Sequence, residues 1–212
     1  MHAHDDHCAR PAGPGQQAGA VQQLSAEDPR AVPAVVAALR AGEAVVVPTE
    51  TVYGLAALPD RRDLLLELKG RPGSVPIAVL VADAAQATAA AGTALPELAE
   101  RLAAAFWPGP LTIVVPTADG PTLGVRCPDH DFVHRVAVEV GPIATTSANR
   151  HGQPTPPTAT AAAAALAGEV AVVVDGGELD GLASTVVDAT GPELRILREG
   201  PIGGVELRRV LR

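Results

Sequence analysis

Short apolar runs alternate along the chain with segments in which Ala and Leu recur at helical spacing. The apolar runs end at Pro, Gly or polar residues, and they predict buried strands at 44–47, 76–82, 111–117, 122–126, 142–147, 170–175, 184–190 and 193–200. The helical periods predict helices at 25–41, 60–70, 82–92, 96–106, 129–140, about 153–167 and 203–211. Alternation of this kind is typical of an α/β protein.

Strands that follow one another without a helix near the end of the chain indicate antiparallel pairing, whereas the earlier strands alternate with helices. We therefore expect one α/β domain, residues 25–212, whose twisted sheet mixes parallel and antiparallel strands and is flanked by helices. Residues 1–24 are rich in Gly, Gln, Ala and Pro and show no apolar period. They are predicted to form a flexible N-terminal extension.

Composition and charge narrow the function classes. Hydrophobic residues make up 47% of the chain, which is enough for a sizeable core, although aromatic residues make up only 2%. The net charge of −8 disfavours an extended nucleic-acid groove, which needs clustered cations, but a local basic pocket remains compatible with it. No apolar run reaches about 18 residues, so no membrane span is predicted. Cys8 and Cys127 form no CxxC pair, which favours a reducing, cytoplasmic location.

The first ten residues contain three His and two Asp. These side chains could bind a metal adventitiously, but no partner ligands follow at fixed helical spacing. A disordered tail is the favoured interpretation, and no metal site is predicted.

One lysine, Lys69, stands among fifteen arginines, in a KGRP segment at the end of a predicted helix. A cation at a helix C-terminus interacts favourably with the helix dipole, which is the purely structural interpretation of Lys69 and Arg71. The functional interpretation is that these two cations bracket phosphate oxygens. The chain contains neither a P-loop sequence nor a Gly-x-Gly-x-x-Gly run, so a nucleotide site would have to be of another kind.

Small hydroxyl and amide side chains follow two of the predicted strands. Thr49, Thr51 and the only tyrosine, Tyr53, come after the strand at 44–47, with Gly54 expected to allow a tight turn. Thr, Ser and the only asparagine occur in the segment 145–149, after another strand. Such residues also cap and turn chains for local reasons, so each segment alone favours an ordinary turn, whereas several together suit a ligand site.

Two arginines, Arg126 and Arg198, each end a predicted strand near Pro or Gly. A single strand-terminal arginine would be an ordinary surface residue, but two of them, together with Lys69 and Arg71, could converge on one anionic ligand.

These segments, in this order, resemble the YrdC-like threonylcarbamoyl-AMP synthase family. The resemblance extends from about Val45 to Gly200 and is carried by PTETVYGL, KGRP followed by PIAVLV, FWPGPLT, TLGVRCPDH, TTSAN, STVVD and ILREG. The family pairs a Lys-x-Arg signature with a later Ser-x-Asn, which here are Lys69/Arg71 and Ser147/Asn149. The resemblance implies a YrdC-like fold with a concave ligand cleft.

The resemblance also implies an activity: L-threonine, bicarbonate and ATP are joined to give threonylcarbamoyl-AMP and pyrophosphate, with Mg²⁺ accompanying the phosphates. A separate transferase would then modify tRNA with the threonylcarbamoyl group. Lys69 and Arg71 would be catalytic. The implied ATP-binding residues are Lys69, Arg71, Thr122, Ser147, Asn149, Thr155 and Arg198. The implied threonine-binding residues are Thr49, Arg126, Thr145 and Ser184, while Tyr53 would pack the pocket floor rather than react.

Two further interpretations stay open. The chain could be a carbamoyl-adenylate-forming enzyme, although related domains of that kind usually occur fused to further domains. It could instead be a non-enzymatic module for double-stranded RNA or ribosome assembly, with which the net acidity fits poorly. Some relatives carry Asn and then His in the stretch after the Lys-x-Arg-Pro segment, whereas this chain is apolar at the corresponding places. Lys69 is expected to be at least partly solvent-accessible.

Overall fold

The computed structural model describes residues 21–70, 77–179 and 181–212. Its centre is a ten-stranded sheet made of β1 (Gln22–Ser25), β2 (Val45–Val47), β3 (Gly54–Ala57), β4 (Ala78–Leu80), β5 (Leu111–Val115), β6 (Leu123–Arg126), β7 (Ile143–Ser147), β8 (Val172–Asp175), β9 (Thr185–Asp188) and β10 (Arg195–Arg198). The helices are α1 (Ala31–Arg40), α2 (Arg62–Leu68), α3 (Ala84–Ala91), α4 (Glu97–Phe106), α5 (Asp131–Val140), α6 (Ala159–Ala164) and α7 (Gly204–Val210). No helix in these ranges is long and apolar enough to cross a membrane.

The strands lie in the order β1-β8-β2-β3-β7-β4-β6-β5-β9-β10. The β1/β8, β2/β8, β4/β6 and β5/β9 pairs are parallel, and the β2/β3, β3/β7, β4/β7, β5/β6 and β9/β10 pairs are antiparallel. The predicted single α/β domain with a mixed sheet is therefore confirmed, including the antiparallel pairing of the last two strands.

Helices cover the two faces of the sheet unequally, and this inequality creates the cleft. On one face, α2 and α6 pack over the half around β2, β3 and β8, and α3, α4 and α7 pack over the half around β5 and β6. On the other face, α1 and α5 cover only the first half. Alternate residues of β4, β5, β6 and β9 consequently face an uncovered concave surface.

Two strands escaped the sequence prediction. Strand β1 buries only Leu24, and its polar composition led to its assignment to the N-terminal extension; residues 1–20 of that extension lie outside the described residues. Strand β3 is short and built mainly of small residues. The first helix also begins at Ala31 rather than Ser25, because β1 and a turn occupy the preceding residues.

Gly54 does not make the expected tight turn. It is the first residue of β3, and its Val47 and Ser147 neighbours belong to β2 and β7. A Cβ at this position would lie 3.1 Å from Thr145 Cγ2. Gly54 is therefore favoured by the close approach of Thr145 and not by a left-handed backbone. Gly70, in contrast, has a φ of +69° and ends α2 as predicted.

Candidate active site

The uncovered part of the sheet forms the floor of a cleft of about 470 Å³. Seven of the eleven predicted site residues line this cleft: Thr49, Thr122, Arg126, Thr145, Ser147, Ser184 and Arg198. They come from sequence positions more than 140 residues apart, and the sheet brings them together because their strands are neighbours in it. Among the described residues that line the cleft there is no Asp or Glu, so its charged groups are all cationic.

The Arg126 guanidinium, at the end of β6, is held on three sides and is only 6% exposed. Nε donates to the Gly109 carbonyl oxygen at 3.1 Å, and Nη1 donates to Thr51 Oγ1 at 3.0 Å. Nη2 lies 2.6 Å from Glu50 Oε2. Glu50 is fixed in turn, because its Oε1 accepts a hydrogen bond from the Asp129 backbone N–H at 3.0 Å. A guanidinium has five N–H groups, so this arrangement orients Arg126 and leaves N–H groups for an anionic ligand.

Arg198, at the end of β10, lies close to Arg126. Its Nε and Nη2 donate to the Ser184 carbonyl oxygen at 3.0 and 2.8 Å, and Nη2 also donates to Ser184 Oγ at 3.1 Å. Ser184 Oγ shares a further hydrogen bond of 2.8 Å with Thr112 Oγ1. Burial and the nearby Arg126 charge both lower the pKa of Arg198. We call Arg126, Arg198, Ser184 and Thr112 the arginine end of the cleft.

The other end of the cleft lies where β7 ends. Leu80 pairs with both Ile143 and Arg126, so Arg126 lies in the same row of the sheet as Ile143, at the start of β7. Ser147 is four residues further along β7, a distance of about 13 Å. We call the lining residues here, Ser147, Thr146, Thr122 and Arg62, the serine end. The cleft is thus long enough to hold a ligand with anionic groups at both ends.

Lys69 is beside the serine end but does not face the cleft. Its side chain is buried, with the residue only 3% exposed, and Nζ donates to the Ser147 carbonyl oxygen at 2.6 Å and to Asn149 Oδ1 at 2.8 Å. Asn149 Oδ1 also accepts from Ser147 Oγ at 2.6 Å. Burial lowers the pKa of Lys69 to about 8. The expectation that Lys69 is partly accessible is therefore wrong: the ammonium orders the turn that ends β7.

Three other predicted residues lie away from the cleft lining or outside the described residues. Asn149 is buried behind Ser147, and its Nδ2 donates to the Arg150 and Gln153 carbonyl oxygens. Thr155 is half-buried in the segment before α6. Arg71 lies outside the described residues. The signature pair Ser147 and Asn149 is thus joined to Lys69 by direct contacts, whereas no contact of Arg71 is described.

Thr145 and Thr49 present hydroxyl groups in the cleft wall. Thr145 Oγ1 is buried and has no hydrogen-bond partner among the described residues, which is unusual for a buried polar atom and suits a ligand contact. Thr49 Oγ1 donates to the Val52 carbonyl oxygen at 2.7 Å and accepts from the Val52 N–H at 3.2 Å. Thr49 therefore shapes the loop that carries Thr51 to Arg126.

Tyr53 does not pack the floor of the cleft, contrary to expectation. It is fully buried in the core on the opposite face of the sheet. Its hydroxyl donates to the Gly177 carbonyl oxygen at 2.5 Å, accepts from the Gly176 N–H at 3.1 Å and lies 3.2 Å from Asp175 Oδ1. Burial raises its pKa. Tyr53 ties the end of β8 to the chain leading into β3.

The sequence analysis missed three residues that belong to the cleft or support it. Glu50 fixes Arg126, Thr112 supports Ser184, and Arg62 lines the serine end. Thr112 and Arg62 looked like ordinary strand and helix positions, and only the sheet order brings them to the cleft. Glu50 lay inside the PTETVYGL segment, so a search for a carboxylate partner of Arg126 would have found it. Among the described residues no group of three or more His, Cys, Asp and Glu could hold a metal ion.

A sequence model of the Sua5/YciO/YrdC family, described as "Telomere recombination", matches residues 37–200. The chain is 39% identical over 204 residues to the threonylcarbamoyl-AMP synthase of Bacillus subtilis (strain 168), covering 89% of this chain and 58% of that protein. It is 38% identical over 197 residues to the putative threonylcarbamoyl-AMP synthase of Mycobacterium tuberculosis (strain ATCC 25618 / H37Rv), covering 86% and 89%.

Among solved structures, the crystal structure of Pyrococcus abyssi Sua5 complexed with L-threonine superposes with a TM-score of 0.81 at 33% sequence identity. The match covers 90% of this chain and 60% of that chain. The chain described here thus spans under two thirds of the length of some of these relatives and nearly nine tenths of another.

Proposed function

Because this chain belongs to the Sua5/YciO/YrdC family, we propose that it is an enzyme that makes threonylcarbamoyl-AMP from L-threonine, bicarbonate and ATP, releasing pyrophosphate. The relatives at 38–39% identity carry this activity in their names. The observation that best supports it in this chain is the composition of the cleft. Among the described residues, three arginines and a series of hydroxyl groups line it without a carboxylate, which suits a ligand that carries both a carboxylate and phosphates.

We assign threonine to the neighbourhood of Arg126. A planar guanidinium can grip a carboxylate through two N–H groups, and Glu50 and Gly109 hold Arg126 in a fixed plane for this contact. Thr145 Oγ1, buried without a partner among the described residues, would then receive its missing hydrogen bond from the ligand. Thr49 and Ser184 complete this part of the wall.

The reaction needs two bond-forming steps. The threonine amine attacks the carbon of bicarbonate, water leaves, and a carbamate forms. A carbamate oxygen then attacks the α-phosphorus of ATP, and pyrophosphate leaves with the electrons of the broken P–O bond. In-line phosphoryl chemistry depends on positioning and charge stabilisation, so the arginines and hydroxyls of the cleft can supply what the protein contributes.

For the nucleotide, we propose contacts with Thr122, Ser147 and Arg198 on the cleft wall. Asn149 and Thr155 would act from behind this wall, and Arg71, outside the described residues, from the segment after α2. Lys69 would reach a phosphate only by leaving Ser147 and Asn149, so its first contribution is to hold the Ser147 turn in shape. Without a carboxylate among the described lining residues, Mg²⁺ would be held chiefly by the phosphates of ATP.

The adenylate would be handed to a separate transferase for threonylcarbamoyladenosine formation on tRNA. This step rests on the family relationship and not on a surface of this chain. The carbamoyl-adenylate and RNA-binding alternatives remain outcomes of the test below.

The test uses the purified full chain with ATP, Mg²⁺, bicarbonate and one amino acid at a time. Pyrophosphate release and the mass of the adenylate are measured together. We expect release that requires both threonine and bicarbonate, with serine and alanine at least tenfold less effective. Release with carbamoyl phosphate in place of these substrates would favour the carbamoyl-adenylate enzyme, and tight RNA binding without turnover would favour the non-enzymatic module. Either result would overturn the proposed activity.

A further inference from the structure

The serine end of the cleft has a cation that the family signature does not include. Lys69 is turned into the protein toward Ser147 and Asn149, so it does not supply positive charge to the cleft surface in this structure. Among the described residues, Arg62 is the cation that lines the cleft at this end. We propose that Arg62 binds the phosphate groups of the nucleotide there, an inference that rests on the proposed use of ATP.

The Arg62 guanidinium is available for a ligand. The residue is exposed at the start of α2, and its one side-chain hydrogen bond to another described residue, from Nη2 to the Ile77 carbonyl oxygen, is long at 3.4 Å. It has no ion pair among the described residues. Positions three and four residues further along α2 are Leu65 and Leu66, so the helix offers no acidic partner at the spacing where ion pairs form.

The placement of Arg62 complements that of the other two arginines. Arg126 and Arg198 lie together at the arginine end, where Glu50 and Ser184 hold them. Arg62 lies at the opposite end beside Ser147 and Thr122. The Thr122 hydroxyl can donate to the same anion, whereas the Ser147 hydroxyl donates to Asn149 Oδ1. A guanidinium meets phosphate oxygens through two parallel N–H groups, so an exposed arginine beside the Thr122 hydroxyl suits a phosphate chain.

Helix α2 also shows why Arg62 and Lys69 serve different purposes. Arg62 is its first residue and Lys69 its C-cap, which places them about 10 Å apart along the helix axis at 1.5 Å per residue. The C-cap side chain is drawn into the protein by the Ser147 turn, whereas the first residue stays on the cleft surface. Helix α2 thus orders the turn at the serine end through Lys69 and presents a positive charge to the cleft through Arg62.

The chain provides a matched control in the neighbouring residue. Arg61 is also exposed, but its guanidinium packs beside Gly42, where a Cβ would lie 3.6 Å from Arg61 Cζ, and it does not line the cleft. Arg62→Ala and Arg61→Ala remove the same charge from adjacent positions. They therefore share any general electrostatic effect on the acidic chain, and of the two only Arg62 lines the cleft.

Binding of ATP, pyrophosphate and AMP to the full chain is measured by isothermal titration calorimetry, together with KM for ATP and for threonine. For Arg62→Ala we expect 5- to 30-fold weaker binding of ATP and pyrophosphate and a similar rise in the KM for ATP. For the same variant, AMP affinity and the KM for threonine should change less than about twofold, and the thermal midpoint should shift by less than about 2 °C. Arg61→Ala should match the wild type in all of these measurements. These are order-of-magnitude expectations for one charge-assisted contact.

Equal ATP and pyrophosphate binding by Arg62→Ala and Arg61→Ala would overturn the inference. So would an equal loss of AMP binding, because it would assign Arg62 to the nucleoside or to the shape of the cleft. The binding measurements need no turnover. If ATP binding depends on Arg62 but the wild type releases no pyrophosphate with threonine, the proposed activity is refuted and the phosphate contact stands. If the wild type releases pyrophosphate with threonine but its ATP binding does not depend on Arg62, the activity stands and the phosphate contact is refuted.

Discussion

Replacing Lys69 by Met tests whether the Lys69 ammonium stabilises the folded protein itself or contributes only to ligand binding. The substitution keeps an unbranched apolar stem and removes the ammonium with its hydrogen bonds to Ser147 O and Asn149 Oδ1. Hydrogen bonds from a charged donor contribute roughly 1.5–3 kcal/mol each, and the cost of burying the charge offsets part of that sum. We expect the free energy of unfolding to fall by about 1–3 kcal/mol, measured by urea denaturation at pH 7.

The same residue makes a sign-specific prediction about pH. Burial lowers the pKa of Lys69 from 10.5 to about 8 in the folded protein. Between these values the unfolded lysine still holds its proton while the folded one has lost it. The contribution of Lys69 to stability therefore rises from pH 8 to pH 10.5 and is constant below pH 8. The wild type should gain stability over Lys69→Met across this window.

The assay benefits from Lys69 being the only lysine of the chain. Labelling with ¹³Cε-lysine yields one side-chain resonance, whose titration reports the pKa directly. A double-mutant cycle of Lys69→Met with Asn149→Ala isolates the contact, with a coupling energy of about 1–2 kcal/mol expected. A resonance that titrates near 10.5, or a Lys69→Met variant as stable as the wild type, would refute this reasoning. Either result would favour a Lys69 side chain that is exposed to the cleft.

Three further predictions concern other parts of the molecule. Arg126→Lys keeps the charge but loses the planar fork, so we expect the KM for threonine to rise about tenfold or more in steady-state kinetics while the KM for ATP changes little. Gly200→Ala would place its Cβ 2.4 Å from a backbone nitrogen of β9 and should lower the urea midpoint clearly, whereas Gly191→Ala, with nothing within 4 Å, should leave it unchanged. Burial raises the pKa of Cys127 to about 11, so in a Cys8→Ser background a thiol reagent at pH 8 should label the chain only as fast as it unfolds.

The fold was predictable wherever a strand was continuously apolar, since such runs have few alternatives to burial. Strands β1 and β3 were missed for one reason: their place in the sheet comes from neighbouring strands and not from their own side chains. Leu24 is the only buried residue of β1, and Gly54 begins β3 because Thr145 crowds it from the adjacent strand. In both strands the strand conformation depends on pairing with residues distant in sequence, and a single sequence does not reveal those pairing partners.

The candidate site, like the fold, was predicted from the sequence only in part. Residue types and order along the chain identified Arg126, Ser184 and Arg198, and the sheet places these three at one end of the cleft. The exposure of Lys69 was predicted wrongly. The sequence shows a lysine at a helix end, but it does not reveal that the Ser147 carbonyl oxygen lies 2.6 Å from Nζ and accepts a hydrogen bond from it. Arg62 was passed over because it sits on a helix of ordinary composition.

The charge of the cleft is the reason that a protein with a net charge of −8 is compatible with the proposed binding of a polyanion. The described lining contains three arginines and no carboxylate, so the acidic groups act from elsewhere on the surface and are screened within about 8 Å at physiological ionic strength. Glu50 lies beside the site, and its carboxylate is engaged with Arg126. If this local charge governs binding, ATP affinity should weaken as salt is raised despite the net negative charge. Glu50→Gln should then leave that salt dependence intact while loosening the grip on threonine, because its carboxylate orients Arg126 and does not face the nucleotide.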